Sequence, residues 1–154
     1  MKAIFVFFCM LAFYGNGTAQ DLNVLRQKHY NVEKSIALQG YDPVSYFVGA
    51  SPKKGNPAYA FNYGNILYYF SSQTNLDAFK LNPAKYEPQY GGWCAYAMGN
   101  TGEKVEIDPK TFKIINGKLY LFYNSLFNNT LKTWNTKEAI LLPKSATNWK
   151  NIFK

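Results

Sequence analysis

Apolar positions in this chain follow two periods. Over "AYAFNYGNILYYFSS" the aromatic and aliphatic residues read as two strands, Ala58 to Asn62 and Ile66 to Ser71, joined by a short turn around Gly64 and Asn65. The same signature returns in "TFKIINGKLYLFY", where Asn116-Gly117 is a strong type I′ turn signal and Lys113, Asn116 and Lys118 mark the polar positions of a second hairpin. Between the hairpins the period becomes helical. Ser72 or Thr74 can cap a helix with Asp77 in its first turn and Leu76 and Phe79 on its apolar face, and Pro83 stops it. The loop "NPAKYEPQYGG" follows, rich in Pro, Tyr and Gly and ordered by side-chain packing more than by regular structure. A second helix is expected from Gly92 to Met98, with Gly99 ending it.

Beyond the second hairpin, Ser125 to Lys154 predicts two helices, one from Leu126 to Trp134 and one from Thr136 that Pro143 interrupts, with Trp134 and Trp149 covering the sheet. Ahead of the first hairpin, "DLNVLRQKHYNVEKSIAL" is a polar lead-in with a short helical stretch from Leu22 to Tyr30, and Gly40 and Pro43 punctuate a buried corner in "QGYDPVSYFVG". The expected class is α+β: two β-hairpins forming an antiparallel sheet, packed by short helices and a helical C-terminal tail. No internal repeat or low-complexity segment is present. The chain has 154 residues, 47% hydrophobic and 18% aromatic, which suits one core and not two.

The N-terminus changes the picture. Lys2, an apolar run from Ala3 to Tyr14 and a small-residue exit at Gly17, Thr18 and Ala19 predict a secretory signal peptide over 1–19, a lead-in over 20–35 and a domain over 36–154. The apolar run is shorter than the roughly 20 residues a spanning helix needs, so no transmembrane segment is expected. Cys9 follows two phenylalanines, which argues against lipid attachment, and it leaves with the signal. The exported chain, periplasmic or secreted, then holds one thiol, Cys94, and no intramolecular disulfide. Charge adds less. The 17 Lys and Arg against 9 Asp and Glu give +8, but the lysines are scattered and Arg26 is the only arginine, which reads as a solvated surface and not as a nucleic-acid stripe. Weak attraction to an anionic envelope surface is compatible with that charge.

The blocks "ALQGYDPVSYF", "YYFSSQTNLDAFKLNPAKYEPQYGGWCAYAMG" and "DPKTFKIINGKLYL", with the late tryptophans, occur in an order and spacing that resemble an exported single-domain member of the YHS family over nearly all of 36–150. The resemblance implies the fold and, from metal-handling relatives, cysteines at set points. Those points are Ser45, Ser71 and Asn75 in this chain. A hydroxyl or an amide is a poor substitute for a thiolate toward soft or borderline metals, so a thiolate zinc or copper site is not carried over.

Candidate chemistry centres on Cys94. It falls in the first turn of the expected 92–98 helix, where the macrodipole and free amides favour a thiolate. Met98, four residues on, shares its helical face, and the two sulfurs suit Cu(I), with His29, the only histidine, as the natural third ligand. The competing reading is core packing, common for both residue types. Tyr90, Trp93 and Asp42 together with Cys94 form a second candidate set, an aromatic pocket with a few polar tips for a small ligand. Asp42 and Asp108 each precede a proline, where a carboxylate caps its own turn, and no catalytic pair is assigned. Ser-His-Asp order, phosphate-cradling glycine loops, Cys-x-x-Cys and His-Glu-x-x-His are all missing. The expected function is a small binding module for a soft metal such as copper or for a small ligand. Two alternatives stay open: a thiol enzyme or redox sensor built on Cys94, and an envelope interaction domain.

Overall fold

The computed structural model describes residues 17–153, so residues 1–16, which carry most of the expected signal peptide, lie outside the described ones. The elements run α1 (Gly17–His29), β1 (Val32–Glu33), β2 (Ile36–Ala37), α2 (Ser45–Val48), β3 (Asn56–Tyr63), β4 (Ile66–Phe70), α3 (Gln73–Leu81), α4 (Pro83–Tyr86), α5 (Ala95–Asn100), β5 (Asp108–Ile115), β6 (Lys118–Phe122) and α6 (Thr130–Ile152). The class is α+β. The two expected hairpins are present but lie in separate sheets, one of four strands in the order β1-β2-β4-β3 and one formed by β5 and β6 alone.

The separation has a local cause. An extra pair, β1 and β2, turns at Lys34 and Ser35, both left-handed at φ 50° and 66°, and β2 then pairs in parallel with β4 through Ile36 and Leu67. That strand covers the flank of the first hairpin. The second hairpin is flanked instead by the chain from Pro88 to Cys94, which makes isolated parallel bridges from Pro88 to Leu119 and from Cys94 to Leu121.

The alternation of β6 divides the interior. Leu119 and Leu121 belong to a core shared with Ile66, Tyr68, Phe70, Phe79 and Val44, whereas Tyr120 and Phe122 point the other way, into a core with Met98, Trp134 and Leu141. Both faces of β6 are therefore dry, which is why "LYLF" has no polar position.

Three helix boundaries differ from expectation. The helix expected over Gly92 to Met98 starts only at Ala95 and runs through Gly99, because Gly91 and Gly92 are left-handed at φ 60° and 86° and Trp93 is extended. Gly99 lies inside α5 for reasons of contact: a Cβ there would stand 2.8 Å from the Leu141 carbonyl of α6. The C-terminal pair of helices is one helix, α6, with Pro143 inside it. Pro143 and Ala139, the residue whose carbonyl loses its donor, are both exposed, so the missing bond falls on the solvent face of the helix and not in the core. Nearby hydroxyls fold back on the same turns, Ser145 Oγ onto the Leu141 and Leu142 carbonyls at 2.9 and 3.0 Å and Thr147 Oγ1 onto that of Pro143 at 3.1 Å.

The lead-in is built into the body. Arg26 of α1 pairs with both carboxylate oxygens of Glu87, one of them through Nη1 at 3.2 Å, while its guanidinium lies 4.5 Å from the Tyr30 ring centre and 5.1 Å from that of Tyr63. Glu87 also accepts from the Tyr68 hydroxyl, whose pKa burial and this carboxylate push well above the usual phenol value.

Gly91 tests this packing. It is left-handed, and a Cβ would stand 2.8 Å from the Trp149 ring and 2.9 Å from the Tyr30 ring. Gly91→Ala is expected to lower unfolding free energy by about 2–4 kcal/mol. A urea midpoint indistinguishable from wild type would show that α1 and α6 are not held closely at this point.

Candidate functional site

Cys94 is the N-cap residue of α5, not a member of its first turn, and it is fully buried. Its Sγ accepts the Tyr123 amide proton at 3.3 Å and lies 3.5 Å from Thr130 Oγ1. Thr130 Oγ1 donates its single proton to the Tyr123 carbonyl at 2.8 Å, which leaves the Cys94 S–H to donate to Thr130. The thiol therefore latches α5 to the end of β6 and the start of α6.

Met98 is also fully buried, but in the other core cluster, with Tyr90 and Trp134. His29 stands elsewhere, its Nδ1 3.0 Å from Lys104 Nζ and its ring 5.4 Å from that of Phe153. Its imidazolium is disfavoured by partial desolvation and by Lys104 and Lys28. Among the described residues no group of three or more His, Cys, Asp or Glu side chains could hold a metal ion. The Cys94, Met98 and His29 set is not gathered round one space.

The second candidate set is also dispersed. Trp93, half-buried, donates its Nε1 proton to the His29 carbonyl at the end of α1 at 2.7 Å and has Lys104 Nζ 5.9 Å from its ring centre. Asp42 is wholly buried and its carboxylate is saturated. Oδ1 accepts the amides of Val44 and Ser45 at 2.8 and 3.3 Å; Oδ2 accepts the Ser71 amide at 2.8 Å, its hydroxyl at 2.7 Å and the Asn75 side-chain amide at 2.6 Å. Ser45 completes the knot, donating to the Asp42 carbonyl and accepting the Lys53 amide. Ser45, Ser71 and Asn75, distant in sequence, thus surround one carboxylate and line one cavity of about 200 Å³ with Lys53 and Ser72.

Tyr90 leads to a different place. It is a buried non-glycine residue at φ 56°, the first of three consecutive left-handed residues, and its side chain lines a cleft of about 360 Å³ between the second hairpin and α6. Ile115, Leu142, Pro143 and Ala146 form the apolar walls, Tyr120 shares the floor, and Lys118 and Asn116 stand at the rim. Ser145 Oγ lies 2.8 Å from the Tyr90 hydroxyl, and the Tyr90 and Tyr120 rings pack with their centres 5.7 Å apart. Burial, opposed by Ser145 and helped by Tyr120, pushes the Tyr90 hydroxyl up to about 12, and burial raises Tyr120 too, so both phenols keep their protons at neutral pH.

Ser145 has one proton, which can go either to the Leu141 carbonyl or to the Tyr90 hydroxyl. Neither Tyr120 nor Pro143 is a candidate site residue from sequence, where Pro143 marks only a helix interruption. The strand period offered a signal for Tyr120, since it places that residue opposite Leu119 and Leu121.

Comparisons of the chain with protein-family models, with curated proteins and with solved structures found no match.

Two outcomes follow from these geometries. Cys94 in the folded protein is expected to resist iodoacetamide at neutral pH and to react fully once the protein is unfolded; rapid labelling of the native state would return it to the list of working groups. Asp42→Asn, which sets an amide donor against existing donors whichever way it turns, is expected to cost about 3 kcal/mol in chemical denaturation. Unchanged stability would show that the knot is not structural.

Proposed function

We propose that this chain is an exported YHS-type binding module that takes a small organic ligand in the cleft between the second hairpin and α6. The observation that carries the reading is Tyr90. Its backbone is buried and left-handed, the residue lines a cleft with apolar walls while its hydroxyl is held by buried Ser145, and strained positions of this kind persist where the surrounding packing fixes them. The lining suits a flat or compact apolar body bearing one hydrogen-bonding or anionic group. Ile115, Leu142 and Pro143 would pack on the body, the Tyr120 hydroxyl would meet the polar group, and Lys118 favours negative charge at the rim.

The small-ligand reading is favoured over copper because the Cys94 sulfur already has a donor and an acceptor inside the core and Met98 lies in the other cluster. The kinship with the YHS family draws support from the convergence of Ser45, Ser71 and Asn75 on one cavity, where the relatives' thiolates would need to meet. Export rests on the N-terminal pattern of Lys2 and the run from Ala3 to Tyr14. Among the described residues, no helix is long and apolar enough to cross a membrane.

An aromatic sulfonate dye, 1-anilinonaphthalene-8-sulfonate, matches the lining and reports its own binding by fluorescence. Titration into the native protein is expected to saturate at one site, and Ala146→Trp, on the exposed wall of α6, is expected to weaken binding about tenfold or more while leaving the melting curve unchanged. Equal binding by Ala146→Trp and wild type would remove the cleft as the site.

A further inference from the structure

The segment between β6 and α6 has an unusual tip. Ser125 and Asn128 exchange backbone hydrogen bonds, Ser125 N–H to Asn128 O at 2.9 Å and Asn128 N–H to Ser125 O at 3.3 Å, and Asn124 bridges to Asn129 just below. Leu126 and Phe127 are the two residues left at the turn, 88% and 95% exposed. They are the only adjacent pair among the exposed large hydrophobic residues of the described chain. Turn tips ordinarily take Gly, Asn, Asp or Ser, so the backbone gives no reason for leucine and phenylalanine here.

The base of this finger is fixed. Thr130 bonds the Tyr123 carbonyl with both its amide and its hydroxyl, Asn129 caps α6 through the Leu131 amide at 3.1 Å, and Asn124 donates to Asp108 Oδ2 at 3.3 Å. The charged groups beside it are Asp108, which is tied up by the Lys110 amide, Thr111 and Asn124, and the exposed lysines Lys110 and Lys132. The whole chain is at +8.

We infer that Leu126 and Phe127 insert into an anionic lipid surface and dock the protein reversibly on a membrane. A protruding apolar tip on a rigid base, ringed by asparagines, matches the depth profile of a bilayer interface, with apolar groups below and hydrogen-bonding groups at headgroup level. The excess of lysine favours anionic lipid, and one small apolar anchor needs such a second, electrostatic contribution to hold. The inference is independent of the ligand cleft.

The test places an environment-sensitive nitrobenzoxadiazole label at Phe127→Cys in the mature chain from Gln20, which lacks Cys9 and the apolar 3–14 run and in which the buried Cys94 stays unlabelled. Vesicles of phosphatidylcholine with about 30% phosphatidylglycerol are expected to shift the emission to the blue, with partitioning about tenfold stronger than on phosphatidylcholine alone. Lys110→Glu and Lys132→Glu are each expected to weaken it about fivefold. No shift, equal partitioning on the two lipids, or a shift that grows with protein concentration and needs no vesicles would overturn the inference, the last in favour of a second copy of the chain. Leu126→Ser, with the label kept at 127, is expected to reduce the shift without altering the melting curve.

Discussion

A buried carboxylate organises the first half of this fold. The Asp42 side chain, with no access to water, would be prohibitive in an apolar interior without donors, and it recruits them from the turn that follows it, from the end of β4 and from the first turn of α3. Its own backbone amide bonds the Lys53 carbonyl, so the strand leading to β3 is fixed to the same point. Once these four segments are tied together, Tyr46 is placed to reach the Pro109 carbonyl of β5 and Phe79 to meet Tyr68 and Phe70. Three backbone amides and the side chains of Ser71 and Asn75 supply the donors to the carboxylate, and Ser45 Oγ closes the turn on the Asp42 carbonyl.

The parts of the architecture legible in the sequence were those whose turns have a chemical signature. Gly64-Asn65 and Asn116-Gly117 adopt the left-handed pairs their composition favours, and both hairpins follow from them. Lys34-Ser35 adopts the same conformation without glycine or asparagine, so β1 and β2 left no local mark, and with them went the division into two sheets. Ser72 caps α3 as its position indicates. Pro143 misled because the rule about proline in helices assumes that the lost bond matters, and here it falls on the solvent face beside Ala139.

The site was legible only in fragments. Tyr90, Trp93 and Cys94 are close in sequence but stand in different surroundings, with the left-handed run from Tyr90 to Gly92 turning the backbone between them, and Asp42 belongs to a separate turn. Helical spacing placed Cys94 and Met98 on one face, and the later start of α5 left them in two cores. The cleft at Tyr90 borrows its remaining walls from β6 and α6, whose approach is set by tertiary packing, including the contact of Gly99 with Leu141. No local pattern encodes that approach.

Gly64 has a role beyond its turn. A Cβ at this position would collide with Arg26 Nε, the one buried side-chain polar atom among the described residues without a hydrogen-bond partner. The guanidinium is held there by Glu87 and by the rings of Tyr30 and Tyr63, so it cannot yield without giving up its ion pair. Positions 26, 64 and 87 are therefore coupled: a side chain at 64 is compatible only with loss of the arginine, and loss of the arginine leaves the part-buried Glu87 beside Tyr68 without its counter-charge.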